Sequence, residues 1–263
     1  MVSRTLALLF VAAFGSACVF AQGDKAMLDK TTPPPPAPAA QPSASVTAED
    51  RGDIFMAKKM YREAIEAYQA GKPNDPILLN KIGIAYHQSL QLDSARRSYE
   101  RAIKVKPDFV EAMNNLGTIY YYHKSYRRAI GWYNKAIKLG PNDAKAASFY
   151  MNRGTAWFAR KQDEKMNQDY EMAMKLDPDV FEHHSNVGQI LEERSVEDRA
   201  RYHFEMAKLY AKSGRNELAL QNLRKALEEG FKDKKKMQDA PEFATLKESP
   251  EFKELMTLEP RVL

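Results

Sequence analysis

The chain has 263 residues, 44% hydrophobic and 29% charged, with a formal net charge of +5. These are the proportions of an ordinary soluble globular protein, and a mild positive excess spread along the chain argues against nucleic-acid binding. A single cysteine, Cys18, rules out a disulfide within the chain.

Residues 1–21 place Arg4 ahead of an apolar run, Leu6 to Phe14, and small residues ending Val19-Phe20-Ala21. That is the layout of a secretory signal peptide cleaved after Ala21, which predicts an exported protein of the periplasm or cell envelope. An uncleaved anchor is the alternative, though the run falls short of the roughly 20 residues that span a bilayer. Gly15-Ser16-Ala17-Cys18 also looks in part like a bacterial lipoprotein signal, which would make Cys18 a lipidation site. Gly15 stands where such signals carry an aliphatic residue. Any membrane contact expected of the chain is through this amino-terminal segment. Residues 22–46 include TTPPPPAPAAQPSAS, an uncharged stretch that favours polyproline II and cannot build a core. It reads as a tether, the alternative being a ligand for a proline-binding module.

From residue 47 to residue 230 the chain repeats. Gly83, Gly117, Gly154 and Gly188 are separated by 34, 37 and 34 residues, and Ala95–Ala129, Tyr99–Tyr133, Ala102–Ala136 and Pro107–Pro141 each by 34. Met113, Leu116, Gly117 and Tyr120 follow i, i+3, i+4, i+7, one stripe of a helix. Tyr86 holds the matching place in the preceding repeat. Gly117 and Ala129 are small where two antiparallel helices approach, Tyr133 and Ala136 continue the stripe on the second helix, and Pro141 stops it. With this period the sequence resembles the tetratricopeptide repeat family. The resemblance implies an all-α fold, a right-handed superhelical solenoid of antiparallel helix pairs. The predicted core is Gly83, Tyr86, Ala95, Tyr99, Ala102, Gly117, Tyr120, Ala129, Tyr133, Ala136, Gly154 and Gly188.

The repeats depart from one another in readable ways. Gly71 predicts an early end to the second helix of the first pair. Pro141 to Gly154 is 13 residues where Pro107 to Gly117 is 10, so three extra residues lie in the 142–148 connection or lengthen the helix after it. Met166 stands where a small residue is expected. The segment EDRARYHFEMAKLYAKSG reads as one helix shared by two neighbouring pairs. In residues 231–263, Phe243, Leu246, Phe252 and Leu255 are expected on two short helices that cap the last exposed stripe.

Residues opposite the core stripe are expected to line a concave groove: Asn80 in the second pair, and Asn114, Asn115, Thr118, Tyr121 and Tyr122 in the third. Asn152 and Phe158 follow in the fourth, Asn186 and Gln189 in the fifth. Asn115, Asn152 and Asn186 hold one position in three successive repeats. Carboxamides both donate and accept, so they can pair with any peptide bond. This is similar to the asparagine ladders by which some tetratricopeptide grooves hold an extended peptide, broken here at Lys81. Tyr121, Tyr122 and Phe158 are the expected aromatic anchors, the alternative being that they pack against neighbouring helices. The basic residues of the family's carboxylate clamp are absent, since Glu49, Asp53, Met151 and Thr155 hold the matching positions.

No phosphate-binding loop, nucleophile elbow or zinc motif appears, and no cofactor or metal is expected. The expected function is non-enzymatic: an adaptor or scaffold binding a protein or peptide partner. A lipid-anchored assembly factor resembling the pilot lipoproteins of type IV pili, or a regulatory subunit of an envelope enzyme, are the alternatives.

Overall fold

The structure is a computed structural model that describes residues 46–183 and 194–258. The expected export signal (residues 1–21), Cys18, residues 22–45 of the expected tether, Asn186, Gly188 and Gln189 lie outside the described residues. Among those described there is no strand. Four helix pairs come first: α1 (Ala48–Ala57) with α2 (Tyr61–Gln69), α3 (Pro76–Gln88) with α4 (Leu92–Val105), α5 (Val110–Tyr122) with α6 (Tyr126–Leu139), and α7 (Ala144–Ala159) with α8 (Asp163–Leu176). A single turn, α9 (Val180–His183), precedes α10 (Val196–Lys212), α11 (Asn216–Glu228), α12 (Lys234–Asp239), a 3-10 turn at Pro241–Phe243 and α13 (Pro250–Thr257).

Local chemistry sets the helix starts. Thr47 and Asp50 form a reciprocal capping box on α1. Asp75 accepts from the backbone N–H groups of Ile77 and Leu78, with Pro76 at the first helical position of α3. Asp143 and Ser195 cap α7 and α10 in the same manner.

Within each pair a glycine on the first helix meets a tyrosine ring on the second. A Cβ built on Gly83 would lie 2.4 Å from the Tyr99 ring, and one on Gly117 2.6 Å from the Tyr133 ring. The ring fills the space a side chain would take, which fixes how closely the helices approach. Gly154 repeats the arrangement with Tyr170, and Ala95, Ala102, Ala129 and Ala136 are buried beside these contacts. Tyr86 and Tyr120, expected in the core, are only half-buried and pack on its margin.

The departures between repeats resolve individually. α2 ends at Gln69, short of Gly71. The helix α7 has 16 residues where α5 has 13, so the three extra residues lengthen the helix. Met166 is fully buried in the position where a small residue was expected. The shared helix is α10, which packs on α8 and on α11. Phe243, Leu246, Phe252 and Leu255 are buried against Leu223, Leu227 and Met237, closing the carboxy-terminal end.

Candidate functional site: an amide-lined cleft

The first helices α3, α5 and α7 lie side by side, and a cleft of about 840 Å³ opens along them. Asn80, Ile84, His87 and Gln88 line it from α3; Glu111, Asn114, Asn115, Thr118 and Tyr122 from α5; and Ser148, Met151 and Asn152 from α7. All but a few of the residues expected in the groove of these three pairs are therefore brought together. Tyr99, Lys145, Phe149 and Asp177 also line the cleft and were not foreseen. Asp177 belongs to a connection between pairs, where helical periodicity carries no signal, and Lys145 to the first turn of α7.

The asparagines are paired with one another across the helices. Asn115 Nδ2 donates to Asn80 Oδ1 at 3.1 Å, and Asn152 Nδ2 donates to Asn114 Oδ1 at 3.0 Å. Each bond ties one layer to the next and fixes the amide plane. A carboxamide has two N–H groups, and each bond uses one of them. The gap at Lys81 is explained by α1: its ammonium is 2.8 Å from Glu49 and 2.6 Å from Asp53. Burial works to lower the Lys81 pKa, but the two carboxylates outweigh it and the group is held above its ordinary value.

Two expected anchors are corrected. Tyr121 is 7% exposed and Phe158 2% exposed, so neither projects into the groove. Tyr121 packs with Ala129, Ile130, Tyr133 and Ala156, while its hydroxyl accepts from Arg194 Nη2 at 2.7 Å. Burial pushes its pKa up to about 12 despite the opposing pull of Arg194. Phe158 meets the Tyr202 ring edge-on at 5.5 Å with the Arg201 guanidinium 4.2 Å from its centroid. A stacked first helix has neighbours on three sides, so its buried face is wider than the single stripe that spacing reveals. Tyr122 remains on the cleft wall, edge-on to His87 with centroids 5.1 Å apart. Burial holds His87 below its ordinary pKa.

One hydroxyl below the cleft is unsatisfied. The pair-defining tyrosines Tyr68 and Tyr133 donate to Asp53 and Thr118, and Tyr170 shares a hydrogen bond with Thr155; each partner is the residue after the pair's glycine. At that place in the second pair stands Ile84, and the buried Tyr99 hydroxyl has no partner. Among the described residues no cluster suited to a metal ion occurs, and no helix is long and apolar enough to cross a membrane.

An array of antiparallel helix pairs with an amide-lined inner face defines a helical repeat protein. Tetratricopeptide-repeat family models match residues 80–144 and 200–229, and the chain carries tetratricopeptide repeats. It is 35% identical over 69 residues to the uncharacterized protein ycf37 of Pyropia yezoensis, covering 26% of this chain and 39% of that one. Over 95 residues it is 32% identical to small glutamine-rich tetratricopeptide repeat-containing protein 2 of Mycosarcoma maydis, covering 35% and 27%. The crystal structure of MamA protein superposes with a TM-score of 0.46 at 22% identity, covering 73% of this chain and 93% of that one. The chain thus spans between about a quarter and two-fifths of the length of these two curated relatives. Tetratricopeptide-repeat proteins generally mediate protein–protein interactions.

Proposed function

We propose that this protein is a non-enzymatic adaptor that holds an extended segment of a partner protein in the cleft along α3, α5 and α7. The observation that carries the reading is the fixed set of carboxamides, Asn80, Asn114, Asn115 and Asn152, on the inner face of three successive helices. Amides already oriented by one another present donors and acceptors at helix spacing without further ordering cost, which suits a peptide backbone of any sequence. Tyr122 and Ile84 add apolar contact beside them. The family's protein-binding role supports the same reading.

Export to the cell envelope is the second part of the proposal and rests on the signal-like layout of residues 1–21. Gly15-Ser16-Ala17-Cys18 is the feature behind a lipid-anchored variant of it, with Gly15 the departure from such signals. Mass spectrometry of the mature amino terminus separates the two: a free Gln22 gives a released protein, a lipidated Cys18 an anchored one, and an intact Met1 contradicts both.

The binding reading is tested by affinity capture of partners with the wild type and with Tyr122→Ala combined with Asn152→Ala. Loss of the captured partner at unchanged helicity is expected. Undiminished capture would remove the cleft as the binding site.

A further inference from the structure

Contrary to the even spread expected from the mild total, the positive excess is concentrated in one stretch of the chain. From residue 112 to residue 162 there are nine lysines and arginines against one acid, Asp143, a local charge of +8 in a chain whose total is +5. Pairs stacked in parallel register put every within-pair turn on one edge and every between-pair link on the other. The links each contain an aspartate, Asp75, Asp108, Asp143 and Asp177, and only the first two contain a lysine, Lys72 and Lys106. The four within-pair turns of α1–α8 contain no acid, although Glu63, Asp93, Asp163 and Glu164 lie in the first turns of the helices that follow; the turns read Lys58-Lys59-Met60, Ser89-Leu90-Gln91, His123-Lys124-Ser125 and Arg160-Lys161-Gln162.

The tips of these turns are alike in backbone and in exposure. Lys59, Leu90, Lys124 and Lys161 have φ of 57°, 59°, 56° and 58°, a left-handed conformation that costs any residue with a Cβ. In the α10–α11 turn the same place is taken by Gly214, which adopts it freely. Leu90 is 80% exposed and Met60 37% exposed, so two apolar side chains stand out of the row of cations. Between the α5–α6 and α7–α8 turns, Lys124, Arg127, Arg128 and Arg160 gather around an open hollow of about 530 Å³ with Tyr126. The Arg128 guanidinium lies 5.8 Å from the Tyr120 centroid and that of Arg160 5.6 Å from the Trp157 centroid, so ring faces hold both cations in place.

We propose that this turn edge docks the solenoid onto an anionic lipid bilayer, with Lys59, Lys124, Arg127, Arg128, Arg160 and Lys161 meeting headgroup phosphates and Leu90 and Met60 entering the headgroup–acyl boundary. The cations run along an edge through several layers, which matches a charged plane better than a point ligand. Exposed leucine and methionine tips beside them gain little from a soluble acidic segment but gain directly from an interface. The docking leaves the cleft along α3, α5 and α7 open and does not depend on what the cleft binds.

The test is cosedimentation of the full chain with vesicles of phosphatidylcholine alone and of phosphatidylcholine mixed equally with phosphatidylglycerol. The ratio of the two partition coefficients cancels the contribution of the apolar residues 6–14. Arg127→Glu with Arg128→Glu should lower that ratio by at least about 25-fold, each cation near the surface being worth about fivefold. Lys104→Glu with Lys138→Glu, the same charge change on the opposite edge, should lower it far less. Leu90→Gly should weaken binding to anionic vesicles while raising the melting temperature, because glycine relieves the left-handed backbone. The proposal is overturned if the two charge variants lose binding equally, if Leu90→Gly binds as the wild type does, or if the chain ignores anionic vesicles and binds polyglutamate instead.

Discussion

Gly117 shows how a single absent methyl sets the spacing of two helices. Alanine there would gain about 1 kcal/mol of helix propensity. Its Cβ would also sit 2.6 Å from the buried Tyr133 ring, and overpacking of that kind costs about 1–3 kcal/mol. Gly117→Ala is therefore expected to be net destabilising, read as a lower midpoint in urea. The orphaned Tyr99 hydroxyl gives a prediction of the opposite sign. Ile84→Thr restores the partner that Thr118 provides to Tyr133, and one buried hydrogen bond contributes about 1 kcal/mol. Ile84 is only half-buried, so the loss of its apolar contact is the smaller effect; a rise in melting temperature is expected, and a fall would contradict the assignment. Histidines supply a pH dependence. Burial holds His87 and His203 below their ordinary pKa, so between their folded values and about 6.5 the unfolded chain binds more protons than the folded one. Stability should therefore fall as pH drops through about 6.5, and the fall should shrink in His87→Gln with His203→Gln.

At the scale of elements, the helix pairs were legible because each leaves a paired mark: a glycine or alanine on one helix and a tyrosine one half-repeat later. The 37-residue interval between Gly117 and Gly154 announced three extra residues without deciding between the connection and α7, which the 16-residue helix settles. What spacing could not show is the packing of one pair on the next. Tyr121 and Phe158 face the following layer, and the Arg194 contact of Tyr121 comes from 73 residues away, a distance at which no periodicity speaks. The polar residues of the groove were legible for the converse reason, since Asn115 and Asn152 recur at one place on successive first helices, and Asn80 and Asn114 at the place before it. The carboxy-terminal elements were also legible, as apolar residues with nothing else to cover. Truncating Phe243, fully buried under α10, to alanine is expected to cost about 3–5 kcal/mol and to lower the urea midpoint. A change near zero would mean that the tail does not close the array.

For the molecule as a whole, stacking places two surfaces at the service of function. The inner face of α3, α5 and α7 presents oriented amides, and the within-pair turns present cations with no carboxylate among the turn residues themselves. Neither depends on any one helix; both arise because equivalent positions line up from layer to layer. The cleft is the central claim, and site-specific photo-cross-linking in cells of the native host tests it directly. A photoreactive residue replacing Ile84 or Tyr122 is compared with one replacing the exposed Arg97 on α4. The account predicts a discrete adduct with one partner protein from both cleft positions and none from Arg97. Adducts from Arg97 alone, or cleft adducts that prove to be internal links to residues 22–45, would contradict it.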